Sequence, residues 1–192
     1  MGLPLQPTLR PVGRWWRVLT LVAVVVLAAA LPSLIPARRS VPQVILGGPG
    51  RTLDAGRALE RHLSSARTRL WVAFYVIRLD ASGPVAAVLA ALEAAAKRGV
   101  DVRVVLDRGR DGDDKNDAAA AWLTAHGLQV VWDEVEVTTH AKVILADDVV
   151  WIGSHNATRA ALSLNREAAV VLDDPSAAAE VAGWFEAIPG FR

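Results

Sequence analysis

The sequence contains no cysteine among its 192 residues. Disulfide bonds and metal sites built on thiolate ligands are therefore excluded. Two ligand-binding motifs, the nucleotide-binding phosphate loop and the EF-hand, are also absent. Residues 47–52 lack the spacing and the lysine of a nucleotide-binding phosphate loop, and residues 111–117 lack the glycine and the final glutamate of an EF-hand. We interpret the first segment as a turn and the second as a solvated loop before a helix.

An excess of basic residues is absent from most of the chain. From Ser40 onward, sixteen Lys and Arg stand against twenty Asp and Glu, a net charge of −4, and the other five arginines precede Ser40. A nuclease that binds long DNA through bulk charge more often carries a basic excess. A local basic groove would have to be built from arginines that ordinary exposed positions explain better: Arg57, Arg61, Arg67, Arg69 and Arg159.

The amino-terminal segment carries one long apolar run, residues 18–35, which contains no charged residue. Its 18 residues reach the minimum length of a membrane-spanning helix, and the preceding Trp15 and Trp16 suit a membrane interface. A cleaved signal peptide is the alternative, because residues 28–30 are small alanines of the kind found at cleavage sites. The apolar run continues past these alanines, which favours an uncleaved anchor.

These features predict four segments: a basic segment over 1–17, a transmembrane anchor over 18–35, a linker over 36–42 and a catalytic domain over 43–188. Arginines flank both ends of the anchor, so the orientation rule favours only slightly an inside amino terminus and an outward catalytic domain. We expect a single-pass membrane protein whose catalytic domain is extracytoplasmic in a bacterium.

Strands and helices alternate along the catalytic region. Helices are predicted at 52–65, 84–98, 117–126, 158–162 and 176–188, between strands at 44–46, 70–77, 100–106, 128–132, 143–146, 149–152 and 168–172. The helix that starts at Pro84 ends before Gly99, a pairing of proline and glycine that is common at helix ends. This alternation predicts an α/β fold with helices on both faces of a mixed β-sheet.

The most informative residues follow one another between positions 140 and 156. His140 and Lys142 stand two residues apart, and a strand would place both side chains on one face, roughly 6.6 Å apart. Lysine is a pure hydrogen-bond donor that attracts a phosphoryl oxygen and repels a metal ion. The pair therefore predicts an anionic substrate and no bound metal. Asp147 and the sequence Gly153-Ser154-His155-Asn156 follow.

Simpler interpretations exist for each of these residues. Asp147 could form the turn between two strands, and this role is compatible with a role in the site. Ser154 and Asn156 could end a strand and precede the helix at 158–162. In a continuing strand, His155 would point to the opposite face from its neighbours, so we do not include it among the catalytic residues.

The pattern H-x-K-x4-D followed by G-S-x-N resembles the HKD motif of the phospholipase D superfamily. The matching residues are His140, Lys142, Asp147, Gly153, Ser154 and Asn156, and Glu167 matches the acidic residue that follows the motif in single-motif members. The likeness covers most of residues 43–188. Five residues separate Asp147 from Gly153 where the family usually has six, which we interpret as a hairpin shortened by one residue.

The resemblance implies a phospholipase D-like sandwich and a metal-independent mechanism without a cofactor. His140 would be the nucleophile and Glu167 would hold its tautomer. Lys142 and Asn156 would stabilise the phosphoryl oxygens, and Ser154 would help to orient them. The family uses two motifs per active site, and no internal repeat is evident in this chain. The resemblance therefore implies a homodimer in which two copies of His140 meet.

The substrate is the open question at this point. A membrane anchor and an acidic catalytic region favour hydrolysis of phospholipid head groups. A membrane-anchored or exported endonuclease is the alternative, since the family also contains small single-motif endonucleases. A catalytically inactive binding protein of the same fold is a third, weaker interpretation, because His140, Lys142, Asn156 and Glu167 are all present.

Overall fold

The structure, a computed structural model, describes residues 40–50, 54–109 and 115–192, which belong to one compact unit, Arg39–Arg192. Its strands are β1 (Gln43–Leu46), β2 (Arg69–Phe74), β3 (Asp101–Leu106), β4 (Gln129–Trp132), β5 (Lys142–Ala146), β6 (Val149–Gly153) and β7 (Ala168–Asp173). Its helices are α1 (Asp54–Ser65), α2 (Pro84–Lys97), α3 (Asp117–Ala125), α4 (Arg159–Ser163) and α5 (Pro175–Glu186).

The strands form one mixed sheet in the order β1-β7-β6-β5-β2-β3-β4. Strands β2, β3 and β4 are parallel, whereas β5 is antiparallel to both β2 and β6, and β7 is antiparallel to β6 and β1. Because β5 runs against its neighbours, its first residue lies at the edge where β2 and β6 end. Residues from distant parts of the sequence therefore meet at that edge.

Each face of the sheet has its own hydrophobic core. Helices α1 to α4 cover one face, where Leu59, Leu92 and Trp151 are fully buried. Helix α5 packs on the other face, where Phe185 and Phe191 close against Trp71. Burying a large apolar side chain contributes roughly 1.5–3 kcal/mol, so both cores stabilise the sheet that carries the site.

The predicted mixed sheet with helices on both faces is confirmed. The predicted strand at 70–77 was too long, because β2 ends at Phe74 and only Ile77 forms a further bridge, to Ala157. Among the residues that the structure describes, no helix is long and apolar enough to cross a membrane. The anchor predicted at 18–35 lies outside those residues, as do the first residues of the helix predicted at 52–65.

Candidate active site at one edge of the sheet

The backbone before β5 is held by two buried carboxylates. The Thr139 N–H donates to Asp107 Oδ2 and to Asp133 Oδ2, both at 2.9 Å. Asp107 follows β3 and forms an ion pair with the buried Lys115, with Nζ 2.6 Å from Oδ1. The chain therefore reaches His140 at a position fixed by two neighbouring strands rather than by a strand ladder.

This anchoring corrects the prediction that His140 and Lys142 share a strand. Strand β5 starts at Lys142, and the His140 N–H donates to Thr138 O at 3.0 Å. The two residues are nevertheless coupled, because Lys142 Nζ donates to the backbone oxygen of His140 at 2.6 Å. An exposed imidazole thus precedes a buried ammonium group that is bound to the same stretch of backbone.

Lys142 is a buried cation with two carboxylates nearby, those of Glu167 and Asp107. Burial lowers the pKa of Lys142, and the carboxylates of Glu167 and Asp107 oppose that shift. The ammonium group has three N–H donors, and one is used by His140. The remaining donors can bind an anionic oxygen beside His140.

Tyr75, directly after β2, lies between the catalytic candidates. Its ring centroid is 4.5 Å from that of His140 and 5.0 Å from Lys142 Nζ. Sequence analysis did not identify it. No sequence signal marks this residue as part of the site, because its contact with His140 joins positions 65 residues apart.

Asn156 reaches the same edge through pairing with the segment after β2. Ala157 N–H donates to Val76 O at 3.1 Å, and Arg78 N–H donates to Ala157 O at 3.0 Å. The side-chain oxygen Oδ1 of Asn156 is buried and has no hydrogen-bond partner among the described residues. This segment therefore lies beside Tyr75 and carries an amide oxygen without a hydrogen-bond partner among the described residues.

Ser154 and Glu167 interact directly where β6 and β7 come closest. Ser154 Oγ donates to Glu167 Oε2, and Ala168 N–H donates to Ser154 Oγ at 3.1 Å. Gly153 makes this approach possible, since a Cβ atom there would lie 2.6 Å from the Cβ of Ala169. The glycine of the motif is thus explained by strand packing.

Glu167 does not bind the nucleophile candidate in this structure. Its Oε1 accepts from Asn165 Nδ2 at 3.1 Å, and a hydrogen bond between Glu167 and His140 is absent from the described residues. The proposed role of Glu167 in holding the His140 tautomer therefore stays a prediction. Burial lowers the pKa of Lys142 and of His155, and the Glu167 carboxylate opposes both shifts, so it contributes negative charge to the site.

His155 is buried, and it follows the end of β6 at Gly153 instead of lying within a continuing strand. It is 1% exposed, and neither ring nitrogen has a hydrogen-bond partner among the described residues. Burial lowers the pKa of His155, and the charge of Glu167 opposes this shift. The position of a Cβ atom at Gly47 would be only 3.2 Å from His155 Nε2, so a larger residue at 47 would crowd the imidazole.

Asp147 lies at the other end of β5, roughly 16 Å along the strand from Lys142. Its carboxylate accepts hydrogen bonds from the backbone N–H groups of Arg67, Thr68 and Arg69 at 2.9, 2.9 and 3.1 Å, and from the Thr68 hydroxyl. These hydrogen bonds lower the pKa of Asp147 to about 2 against the opposing effect of burial. The structure therefore shows the turn-forming role that sequence analysis allowed for Asp147. Its inclusion among the catalytic residues stays a prediction, and its place at the far end of β5 argues against it.

The polar residues behind the site were also missed, although a sequence signal existed for two of them. Asp107 and Asp133 each directly follow a strand, β3 and β4. These strands are parallel, and the carboxyl ends of parallel strands meet at one edge, where α/β proteins bind ligands. Lys115 and Asn116 lie near an acidic loop and carried no comparable signal.

The fold has counterparts among solved structures. It superposes on a phospholipase D family member, Nuc from Salmonella typhimurium, with a TM-score of 0.62 and 30% identity over 75% of this chain and 91% of that chain. NucT from Helicobacter pylori has the same fold, with a TM-score of 0.62 and 21% identity over 77% of this chain and 96% of that chain. The architecture is therefore that of a phospholipase D-like domain.

Sequence comparison places the chain within a family. Residues 59–188 match the family described as "Cardiolipin synthase, PLD-like domain", so the chain belongs to the phospholipase D-like proteins. It is 29% identical over 167 residues to cardiolipin synthase A of Pseudomonas aeruginosa, an alignment that covers 82% of this chain. The chain spans 32% of the length of that relative.

Proposed function

We propose that the protein is a metal-independent phosphodiesterase that hydrolyses the head-group ester of phospholipids through a phosphohistidine at His140. The observation that carries this proposal is the exposed His140 imidazole next to the buried Lys142 ammonium, joined by the bond from Nζ to the His140 oxygen. A neutral imidazole can attack phosphorus while a fixed cation beside it attracts the phosphoryl oxygens.

The reaction has two steps. In the first, a bond forms between a His140 ring nitrogen and phosphorus, the bond from phosphorus to the leaving oxygen breaks, and the protonated His140 of a second copy donates its proton to that oxygen. In the second, the now neutral second imidazole takes a proton from water, which attacks phosphorus and releases the first imidazole. Atoms and protons balance without a metal or a cofactor.

Lys142 and Asn156 would stabilise the negative charge that develops on the phosphoryl oxygens. Lys142 has N–H donors beyond the one bound to His140, and Asn156 has an amide at the same edge. Removing one such donor from an enzyme typically slows turnover by about 10²–10³-fold. Ser154 is bound to Glu167 and would orient the oxygens that these two residues contact.

We infer that the working form is a homodimer, since one chain supplies only one His140 for a reaction that needs two. The face of the sheet that carries α5 offers a surface for a second copy. Ile152 and Trp184 are both 41% exposed there, and they line an apolar groove with Val143 and Val181. Ala141, between His140 and Lys142, lines the same groove, so a copy seated on it would lie beside the nucleophile.

Two features support phospholipid as the substrate. The region from Ser40 onward carries a net charge of −4, which disfavours long nucleic acids. The apolar run at 18–35 would hold the domain beside lipid head groups as a single-pass anchor, with the domain on the extracytoplasmic side. This location is part of the proposal.

An endonuclease is the second candidate function, and one observation favours it. The chain aligns with 91% of Nuc but spans only 32% of cardiolipin synthase A. The aligned region thus corresponds to nearly the whole of Nuc and to only a part of the synthase. An inactive binding protein is a weaker candidate, because the imidazole, ammonium and amide groups needed for catalysis all lie at one edge of the sheet.

The test is a turnover assay on the purified 192-residue chain with EDTA present. Phospholipid vesicles, single-stranded DNA and the chromogenic diester bis(4-nitrophenyl) phosphate are offered in parallel. We expect head-group release, and we expect His140→Ala to lower turnover by at least about 10⁴-fold, as the loss of a nucleophile does in other enzymes.

The matched control is His126→Ala, an exposed histidine at the end of α3 that should leave turnover unchanged. DNA cleavage with intact lipid would make the protein a nuclease. Loss of wild-type turnover in EDTA, or full activity of His140→Ala, would contradict the mechanism. No turnover on all three substrates would leave the binding protein.

A further inference from the structure

Tyr75 contacts three side chains at the site: His140, Lys142 and Lys115. Its ring lies 4.5 Å from the His140 ring, centroid to centroid, with an angle of 58° between the ring planes. Lys142 Nζ is 5.0 Å from the Tyr75 centroid, and Lys115 Nζ is 4.2 Å from it. One half-buried ring therefore touches the nucleophile and the two buried cations of the site.

The backbone of Tyr75 is fixed by the same network that fixes the approach to His140. The buried Asn116 donates from Nδ2 to Tyr75 O and to Asp107 O, both at 2.9 Å. Asp107 in turn accepts from the Thr139 N–H and pairs with Lys115. One set of buried hydrogen bonds thus fixes the backbone at Tyr75 and the backbone that leads to His140. The distance between the two rings therefore follows from the fold.

The contacts belong to the ring of Tyr75 rather than to its hydroxyl. The hydroxyl makes no hydrogen bond within the described residues, whereas the ring meets an imidazole and two ammonium groups. A cation within about 6 Å of an aromatic centroid is attracted by the ring quadrupole. Tyr75 therefore holds Lys142 and restricts rotation of the exposed His140 imidazole at the same time.

We propose that Tyr75 is a positioning residue that fixes the His140 imidazole relative to Lys142 for attack on phosphorus. This inference rests on the proposed function, because positioning matters only if His140 reacts. A displacement of about 1 Å in a reacting group can slow turnover by about 10²-fold. The ring is thus expected to affect the rate of the chemical step more than substrate binding.

Kinetics of Tyr75→Phe and Tyr75→Leu test the proposal on the 192-residue chain with bis(4-nitrophenyl) phosphate. Phenylalanine keeps the ring, so we expect kcat within about threefold of wild type. Leucine removes the ring, so we expect kcat to fall by about 10–10²-fold while KM changes by less than about threefold. An equal loss in both variants would instead mean that the hydroxyl contacts substrate, and a leucine variant with wild-type kcat would overturn positioning.

A nuclear magnetic resonance measurement separates this inference from the proposed function. The chain has four histidines, so His140→Ala assigns the ring-proton signal of His140. We expect Tyr75→Leu to shift that signal and Tyr75→Phe to keep it near its wild-type position, because only an aromatic ring produces a ring-current shift. An unchanged signal in Tyr75→Leu would overturn the contact whether or not the protein turns over a diester.

Trp122→Leu provides the matched control. Trp122 stacks on His126 with ring centroids 3.7 Å apart, on α3 and away from the site. This variant should shift the His126 signal, leave that of His140 in place and keep kcat unchanged. If the chain shows no turnover while Tyr75→Leu shifts the His140 signal and Tyr75→Phe keeps it, the proposed function fails and the contact between the two rings is confirmed.

Discussion

The two ends of β5 carry polar clusters of opposite character. At the Asp147 end, the carboxylate receives three backbone N–H groups and a hydroxyl. At the His140 end, the imidazole is exposed, and the buried Asn156 Oδ1 has no hydrogen-bond partner within the described residues. A cluster whose polar groups all have hydrogen-bond partners stabilises the fold. A cluster with an unpaired polar group can still bind a ligand.

The difference follows from what each end must do. A buried polar atom without a partner costs roughly 1–3 kcal/mol, so its presence calls for an explanation. Asp147 also has a φ of 53°, a left-handed conformation that aspartate tolerates better than most residues. The turn therefore explains its place in the motif, whereas the proposed function would explain that of His140, Lys142 and Asn156.

Among these variants, Lys142→Met at the His140 end of β5 is expected to have the largest effect on kcat. Methionine keeps the volume of the side chain and removes the ammonium group, so we expect kcat to fall by about 10²–10³-fold. Burial lowers the pKa of Lys142, so removing this desolvated charge should leave the free energy of unfolding unchanged or raised. Steady-state kinetics and urea unfolding measure the two quantities.

Lys97→Met is the control for that variant. Lys97 is an exposed residue of α2, paired with Glu93 one helical turn away at 2.5 Å, and pairs of this kind contribute about 0.3–0.5 kcal/mol. We expect its kcat to equal that of wild type. Turnover of Lys142→Met within tenfold of wild type would mean that the buried ammonium group serves the fold alone.

The opposite result is expected at the other end of β5. Asp147→Ala removes hydrogen bonds to a charged acceptor and places alanine at a positive φ, so we expect the free energy of unfolding to fall by about 2–4 kcal/mol. At a temperature where the variant stays folded, kcat should remain within about twofold of wild type. Urea unfolding and turnover on the same preparation provide the measurement.

Asp148→Ala is the neighbouring control. Asp148 lies in the same turn, but it is exposed and its ion pair with Arg69 is 3.3 Å long. Exposed pairs contribute about 0–1 kcal/mol, so this variant should be close to wild type in stability. A tenfold loss of kcat in folded Asp147→Ala would return Asp147 to the catalytic residues and remove the contrast between the two ends.

The fold could be predicted from the sequence because its signals are local. Short apolar runs indicated the strands, and Pro84 and Gly99 marked the limits of one helix. The predicted limits failed where tertiary contacts decide them. Lys142 begins β5 because the Thr139 N–H is taken by Asp107 and by a second carboxylate, which leaves His140 outside the ladder.

The site could be predicted only where its residues stand together in the sequence. His140, Lys142 and Asn156 fall within one motif, so their spacing was visible. Tyr75 and Asp107 come from other strands, and only the order of the strands brings them to the same edge. The spacing alone also did not show that His140 and Asp147 lie at opposite ends of one strand, β5.

His62 tests whether an unpartnered polar atom always marks function. Its Nε2 has no hydrogen-bond partner among the described residues, yet it lies in α1 against Trp151, within the core and outside the site. Burial lowers the pKa of His62 to about 4, and a bond to the Ile144 backbone opposes that shift. His62 is therefore neutral in the folded protein at pH 7, and its effect should be on stability.

The sign of the pH dependence follows from that lowered pKa. Unfolded histidine titrates near 6.5, so the unfolded state binds a proton first as the pH falls. The stability that neutral His62 retains above pH 6.5 should be lost progressively toward pH 4, by roughly 3 kcal/mol. Part of the slope belongs to His155, whose pKa burial also lowers.

Urea unfolding between pH 7 and pH 4 measures this loss in wild type, in His62→Leu and in the exposed-residue control His126→Leu. We expect the slope to shrink in His62→Leu and to stay in His126→Leu, with kcat at pH 7 close to wild type in both. An unchanged slope in His62→Leu would assign the acid sensitivity to other titrating groups, such as His155 and Asp147. A large loss of kcat would instead extend the functional region into the core beneath Trp151.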